Sequence, residues 1–337
     1  MSASLPSSWL RNQGPCPRYD EVKLPISRHI WLPFADIPVS YDFFALYDDL
    51  KSSYPEGFVI RGCPPDVSNL FRELRHDTCR TGIDAILDLS DRSHFEGKKV
   101  LAALRRGWRH GRVEEVRLNT DNADLFQSLL STSPHAGKPR LKHLFRNDLS
   151  KVSRCFVFRS FSGTWLACLT LSEQTKKVYR IELMLRSRQS PGDIMECLIA
   201  ETAARLLADG ADELSLGEVP FMLHEDDAEP MSALEQLIFA AAPFCRHAYD
   251  YQGLCFFKKK FRPTWRTMRL CAGPGVRFTP SFLIELAYSM GFLELLTQRT
   301  LLSLLAGGWN LITQIRDQKG DGDHTNNQTA DFCLSPD

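Results

Sequence analysis

The stretch Tyr249-Asp250-Tyr251-Gln252-Gly253-Leu254-Cys255-Phe256-Phe257-Lys258-Lys259-Lys260-Phe261-Arg262-Pro263-Thr264-Trp265 decides how the rest of the chain is read. It brings aromatics, a glycine and a run of lysines into one short segment. Phe257, Phe261 and Trp265 recur at i, i+4 and i+8, which places them on one face of a helix. Lys258 and Lys260 then point off that face, and Gly253 breaks the chain just before it. Two readings follow. In one, the segment is an amphipathic helix with a solvated lysine run. In the other, the lysines form a cationic wall beside a pocket for phosphate or carboxylate groups.

A chain of 337 residues is long enough for two domains with full cores. Hydrophobic residues at 43% and charged residues at 24% are the balance of a soluble globular protein. The formal net charge is zero, so affinity for nucleic acid or membrane has to come from local patches. The cysteines include no C-x-x-C pair and no Cys/His cluster with zinc-finger spacing. With no signal-peptide pattern they read as reduced, mostly buried thiols of a cytoplasmic protein with no metal site. Residues 1–18, rich in Ser and Pro, read as a flexible lead-in.

Going outward, residues 19–140 read as an α/β lobe. Strands are expected at 30–34, 57–60, 83–89 and 113–118, and helices at 43–52, 65–74 and 121–130. Between them, Leu101, Leu104 and Trp108 share a helix face, while Lys98, Lys99, Arg105, Arg106, Arg109 and Arg112 cover the remainder. Gly111 is placed as its C-terminal cap. This helix is either a basic outer face or a phosphate-facing patch. The basic connector 137–146 marks the passage into the second lobe, 141–278, and its His143 reads as surface or packing.

The second lobe opens with strands at 155–159 and 165–172 around a Ser162-Gly163 turn, followed by a strand at 177–186. Ser190 is the expected N-cap of the next helix, with Pro191 at its first position. A strand at 214–217, a helix at 231–241 and a final strand complete an order typical of GNAT acyltransferases. In acetyl-CoA enzymes of that fold the turn before the helix reads R/Q-x-x-G-x-G/A, and its backbone N–H groups cradle the pyrophosphate. Here the turn reads Gln189-Ser190-Pro191-Gly192-Asp193-Ile194. Pro191 has no N–H to donate, and Asp193 puts a carboxylate where a diphosphate would sit. Acyl-CoA is therefore disfavoured as donor.

Several of these segments resemble the phosphatidylglycerol lysyltransferase C-terminal domain family. They are Tyr249 to Trp265, the basic stretch Gly97 to Gly111, Glu182-Leu183-Met184 and Leu216-Gly217-Glu218-Val219-Pro220. The resemblance implies a mixed α/β fold of two tandem GNAT-like lobes sharing a cleft. It also implies transfer of an amino acid from aminoacyl-tRNA, as donor substrate and without a further cofactor, to a lipid hydroxyl. For that chemistry Glu182 is the candidate partner of the aminoacyl ammonium. Lys258 and Lys260 are candidates for contact with phosphate or the 3′-terminal ribose, or for oxyanion stabilisation. Asp250 and Gln252 orient them, Glu218 is a second acid, and Arg186, Arg105 and Arg109 meet the anionic substrates. The family pattern Asp-Leu-x-Arg is altered here to Glu182-Leu183-Met184-Leu185, with Arg186 one step on. A one-residue slip in a strand turns a side chain to the other face unless a bulge intervenes. Two other readings stay open: an acyl-CoA-dependent N-acyltransferase, and a non-catalytic lobe that binds RNA or a membrane surface.

Residues 279–318 are apolar. The uncharged run 300–315 is shorter than the ~20 residues needed to span a bilayer. The segment reads either as helices packed on the second lobe or as an in-plane anchor at the inner face of the membrane. A polar tail, 319–337, is expected to be disordered.

Overall fold

The computed structural model describes residues 4–134, 136–137, 141–144, 152–224, 227, 229–246, 250–292 and 294. The apolar runs of the sequence become strands β1 (Leu10–Asn12), β2 (Arg18–Lys23), β3 (Ile30–Pro38), β4 (Phe58–Cys63), β5 (Thr78–Asp88), β6 (Gly111–Val116), β7 (Arg154–Ser160), β8 (Trp165–Thr175), β9 (Val178–Arg186), β10 (Glu213–Pro220) and β11 (Thr264–Ala272). The helices are α1 (Phe43–Ser53), α2 (Pro65–Glu73), the short α3 (Ser93–Glu96), α4 (Lys98–Gly107), α5 (Thr120–Thr132), α6 (Ile194–Ala208), α7 (Ala233–Cys245), α8 (Tyr251–Lys259) and α9 (Pro280–Ser289). The fold is mixed α/β, as expected.

All the strands join one sheet in the order β1-β3-β4-β11-β5-β10-β9-β8-β7-β6, with β2 paired to β3 outside that path. The last of the described strands, β11, lies between β4 and β5 and is antiparallel to both. Strand β10 is in turn antiparallel to β5. The halves expected to part near residue 140 are therefore laced through a common sheet, and the described residues up to Phe292 belong to one compact unit. Parts of the expected connector, 138–140 and 145–151, lie outside the described residues.

Two cores position the elements. On one, α6 lays Ile194, Leu198 and Ile199 against Leu87, Leu169, Leu171, Ile181, Leu214 and Leu216. On the other, α1 and α2 bury Phe43, Leu46, Leu50 and Phe71 on Leu32, Phe58 and Ile60. In α1 the apolar residues Phe43, Leu46, Tyr47 and Leu50 recur at helical spacing, and the Asp42 side chain caps the first turn by accepting from the Ala45 N–H at 2.8 Å.

Several expectations are corrected. The start of the chain is not a flexible lead-in. Trp9 is fully buried in the second core with Leu5, and β1 runs parallel to β3. One buried indole holds down a stretch whose Ser/Pro composition points to disorder. The signature segment is not one helix: α8 ends at Lys259, and Trp265 belongs to β11. Gly111 caps nothing; it opens β6, and α4 closes at Gly107. Helix α6 starts at Ile194 with Asp193 as N-cap residue, so Ser190 and Pro191 lie in the preceding turn. Of the apolar C-terminal segment, α9 packs on the body through Phe282 and Leu286, and its Glu285 carboxylate accepts from the Ile26 and Ser27 N–H groups. That face of α9 is packed on the protein, while Ile284 and Tyr288 of the same helix stay exposed. Apart from Glu294, residues 293–337 lie outside the described residues. Among the described residues no helix is long and apolar enough to cross a membrane.

Gly107 makes a testable contribution. Helix α4 crosses α6 so closely that a Cβ at Gly107 would strike Cys197 Sγ and stand 2.8 Å from the Asp193 carbonyl oxygen. Gly107→Ala is expected to cost about 1–3 kcal/mol of stability by overpacking, although alanine favours helix. Urea denaturation reads this directly; an unchanged midpoint would show that the crossing relaxes freely.

Candidate functional site

Strands β9 and β10 run parallel, but they pair only over Val178–Arg180 and Glu213–Ser215. Beyond Ser215, β10 bulges and continues beside β5, with Glu218 opposite Asp84. Gly217 sits in the bulge at φ +89°, a conformation that glycine adopts without strain. Strand β9 bulges as well: Thr170 pairs with Leu183 and Leu171 with Ile181, leaving Glu182 as the extra residue. The two strands thus part in the middle of the sheet.

Lys258 enters this parting. Helix α8 is set by its N-cap, where the Asp250 side chain accepts from the Gly253 N–H at 3.0 Å, and by Tyr251 and Cys255 packing with Ile83 and Val219. The Lys258 side chain is 1% exposed, and its Nζ donates to the carbonyl oxygens of Gly217 at 2.7 Å and Glu218 at 3.4 Å. Burial pushes its pKa down to about 7; Asp84 and Glu218 pull upward, and Arg180 adds to the depression. The lysine expected on a solvated or cleft-lining face is thus inside the protein.

Polar groups gather around it. Glu218 is buried and accepts from Arg61 Nη1 at 2.9 Å and from Thr81 Oγ1 at 3.1 Å. Asp84, 3% exposed, accepts from Ser215 Oγ at 2.8 Å. Ser172 Oγ donates to Glu182 at 2.6 Å. Ser172 is the register partner of Arg180, and Arg180 of Ser215, so the three form a row across β8, β9 and β10.

Of the residues singled out in the sequence, Lys258 and Glu218 come together here, and Glu182 meets Ser172 at the bulge of β9. The others do not. Lys260 is at the end of α8, where its Nζ pairs with Glu196 of α6 at 2.8 Å. Arg186 is directed to the turn before α6, with Nη1 donating to the Gly192 carbonyl at 3.3 Å. The bulge at Glu182 precedes Arg186 and does not bring it to the row. Asp250 is a helix cap rather than an orienting group for the lysines, and Gln252 is exposed on α8. Arg105 and Arg109 are exposed on and just after α4. Arg61, Thr81, Asp84, Ser172, Arg180 and Ser215 were missed. A signal existed for Asp84, an acid inside the apolar run Ile83-Asp84-Ala85-Ile86-Leu87. Burial of a lone acid there calls for a partner.

The turn before α6 carries its own chemistry. Asp193 accepts from Arg106 Nε at 2.6 Å and Nη2 at 3.1 Å, and these hydrogen bonds hold its carboxyl below the usual range. A polar pocket of about 320 Å³ also opens between the start of α2 and β11, with Arg72, His224, Asp227, Trp265 and Arg269 in its wall. Arg72 and Arg269 both pair there with Glu229.

The sequence matches the family described as "Phosphatidylglycerol lysyltransferase, C-terminal" over residues 43–272. Among solved structures, L-PGS from Bacillus licheniformis superposes with a TM-score of 0.64 at 18% identity, over 82% of this chain and 86% of that one. A C-terminal domain (DUF2156) from Agrobacterium fabrum, assigned to a lysylphosphatidylglycerol synthetase, gives 0.54 at 22% identity, over 71% and 81%. At these identities the likeness is one of fold. No curated protein matches the sequence. The family match takes in the basic helix, both bulged strands and the buried lysine, and on it the chain belongs to the phosphatidylglycerol lysyltransferase C-terminal family.

Proposed function

We propose that this protein moves an amino acid from aminoacyl-tRNA to a hydroxyl of a phosphatidylglycerol-like lipid, working at the cytoplasmic face of a membrane as a peripheral enzyme. The observation that carries this reading is the buried Lys258 held among Asp84, Glu218 and Arg180 where the sheet parts. In the transfer, the acceptor hydroxyl oxygen bonds to the aminoacyl carbonyl carbon, and the ester bond to the terminal ribose breaks. A proton leaves the hydroxyl and arrives on the ribose oxygen. A lysine whose pKa lies near 7 is matched to take the first proton and deliver the second. Glu182 suits the α-ammonium of the aminoacyl group, and Asp84 is a second acid for it. Arg105 and Arg109, exposed with Lys98 and Lys99 on one helix and its exit, suit the phosphates of the donor. Arg106 on Asp193, in the turn where acyl-CoA enzymes hold their pyrophosphate, speaks against CoA.

The test is incubation of the full chain with total charged tRNA and total lipid extract, with mass spectrometry of the lipids. New aminoacyl lipids that vanish when the tRNA is deacylated are expected. Product formed from acetyl-CoA in place of charged tRNA, together with a thermal shift on CoA, would overturn the reading.

A further inference from the structure

Arg80 and Arg180 are both buried, and they are treated differently. The guanidinium of Arg80 is satisfied throughout. Nε donates to Glu235 at 3.0 Å, Nη1 to the Glu229 carbonyl at 2.8 Å with Asp227 at 3.2 Å, and Nη2 to the Pro230 carbonyl at 3.0 Å and Glu235 at 2.9 Å. Arg180 is 8% exposed, and its Nη1 is buried without a hydrogen-bond partner. The Nε of Arg61 is orphaned in the same way, although that residue's Nη1 holds Glu218. Burying a charged donor unpaired costs several kcal/mol, so a fold that keeps one has a use for it.

The nearby carboxylates are already engaged. Asp84 is taken by Ser215, Glu182 by Ser172, and Glu218 by Arg61 and Thr81. A guanidinium accepts no hydrogen bond, so the missing partner is an acceptor, and only an anion also offsets the buried charge. Register places Arg180 between Ser172 and Ser215, in the last paired row before the strands part, where its charge also acts on Lys258. We propose that Arg180 forms a seat for one tetrahedral oxyanion beside Lys258, and that in the reaction it takes the phosphodiester of the acceptor. The assignment of the source rests on the proposed function; the oxyanion seat rests on the buried, unpartnered Nη1 of Arg180. A phosphodiester held there would bring the attached headgroup hydroxyl toward Lys258, which makes Arg180 a positioning residue for the acceptor.

The test is binding, read apart from transfer. The full chain, as wild type, Arg180→Gln and Arg180→Lys, is titrated calorimetrically with glycerophosphoglycerol, inorganic phosphate and glycerol, with circular dichroism to confirm the fold. Wild type is expected to bind glycerophosphoglycerol and not glycerol. Arg180→Gln should weaken binding at least about tenfold, and Arg180→Lys should recover part of it. Competition by inorganic phosphate in wild type, absent in Arg180→Gln, supports the seat. Binding of inorganic phosphate alone supports the seat and removes the lipid headgroup as its source. Unchanged glycerophosphoglycerol affinity in Arg180→Gln overturns the proposal, as does equal binding of glycerol. If Arg180→Gln does not fold, unchanged affinity in Arg180→Lys overturns it, because a point charge cannot replace the planar fork. Loss of transfer with intact Arg180-dependent phosphate binding would count against the proposed function and leave the seat standing.

Discussion

Lys258→Met is expected to lower aminoacyl transfer by about a hundredfold or more while the protein stays folded. Methionine fills nearly the same volume with an unbranched chain, so no large cavity opens in the parting between β9 and β10. Alanine would be a poorer probe, because the side chain is fully enclosed and its removal would mix packing with chemistry. What Lys258→Met removes is the ammonium that donates to the Gly217 and Glu218 carbonyls. Two pH dependences follow from a pKa pushed down to about 7 by burial. The wild-type rate should rise with pH through about 7 as Lys258 loses its proton, and the residual rate of Lys258→Met should lack that limb. For stability, the unfolded chain keeps the lysine protonated up to its ordinary value of 10.5, while the folded protein gives up the proton near 7. Between those values the unfolded state binds more protons, so wild-type stability rises with pH across the window, and this contribution is lost as pH falls toward 7. The melting temperature of Lys258→Met relative to wild type should be highest at or below pH 7 and decline as pH rises. Retained transfer in Lys258→Met would take the lysine out of the reaction; a flat difference in melting temperature would show that it stays charged in the fold.

Much of the element order was legible because it rests on local patterns. Apolar runs gave β3, β4, β5 and β7 to β10, and helical spacing gave α1, α2, α4 and α5, most within a few residues of their ends. What local pattern could not give was the placement of β11. Its insertion between β4 and β5 is a pairing across the whole chain, and the sequence around Trp265 is equally compatible with a helical face. The same limit applies to the site. Lys258 was found because three lysines in a row attract notice, but its burial was not, since a lysine run ordinarily faces water. Whether it is buried depends on the parting of β9 and β10, which is produced by two bulges and a left-handed glycine. Asp84 and Arg180 stand on different strands, and only the register of the sheet brings each of them beside Ser215. The family motif points to Arg186; the strand's geometry sends Arg186 to Gly192 and leaves Arg180 in the row.

The largest effect on stability is expected from Glu235→Ala, at about 3–5 kcal/mol, a large part of the total for a typical domain. Glu235 does two jobs with one carboxylate. As the third residue of α7 it accepts from the Ser232 N–H at 2.9 Å, while the Ser232 side chain accepts from the Glu235 N–H at 3.2 Å, a reciprocal cap. It also accepts from the Arg80 backbone N–H at 2.7 Å and holds the Arg80 guanidinium, whose side chain is 0% exposed. Removing it strands that guanidinium with only Asp227 and two carbonyls, and it opens the start of α7 as well. Burial pushes the Glu235 carboxyl up, but hydrogen bonds from Arg80 and Ser232 and the charge of Arg80 outweigh it and bring the pKa down to about 2. Its contribution to stability is therefore full above the ordinary value of 4.5 and is lost as pH falls through about 2. Wild type should lose stability steeply in acid, and Glu235→Ala should do so less. Arg80→Met combined with Glu235→Leu should recover part of the loss, since a buried ion pair exchanged for apolar groups is often neutral. Denaturant unfolding of the three proteins at pH 7 and pH 3 measures all of this. A loss below about 1 kcal/mol for Glu235→Ala would mean that water reaches Arg80 and that this ion pair does not anchor α7 to β5.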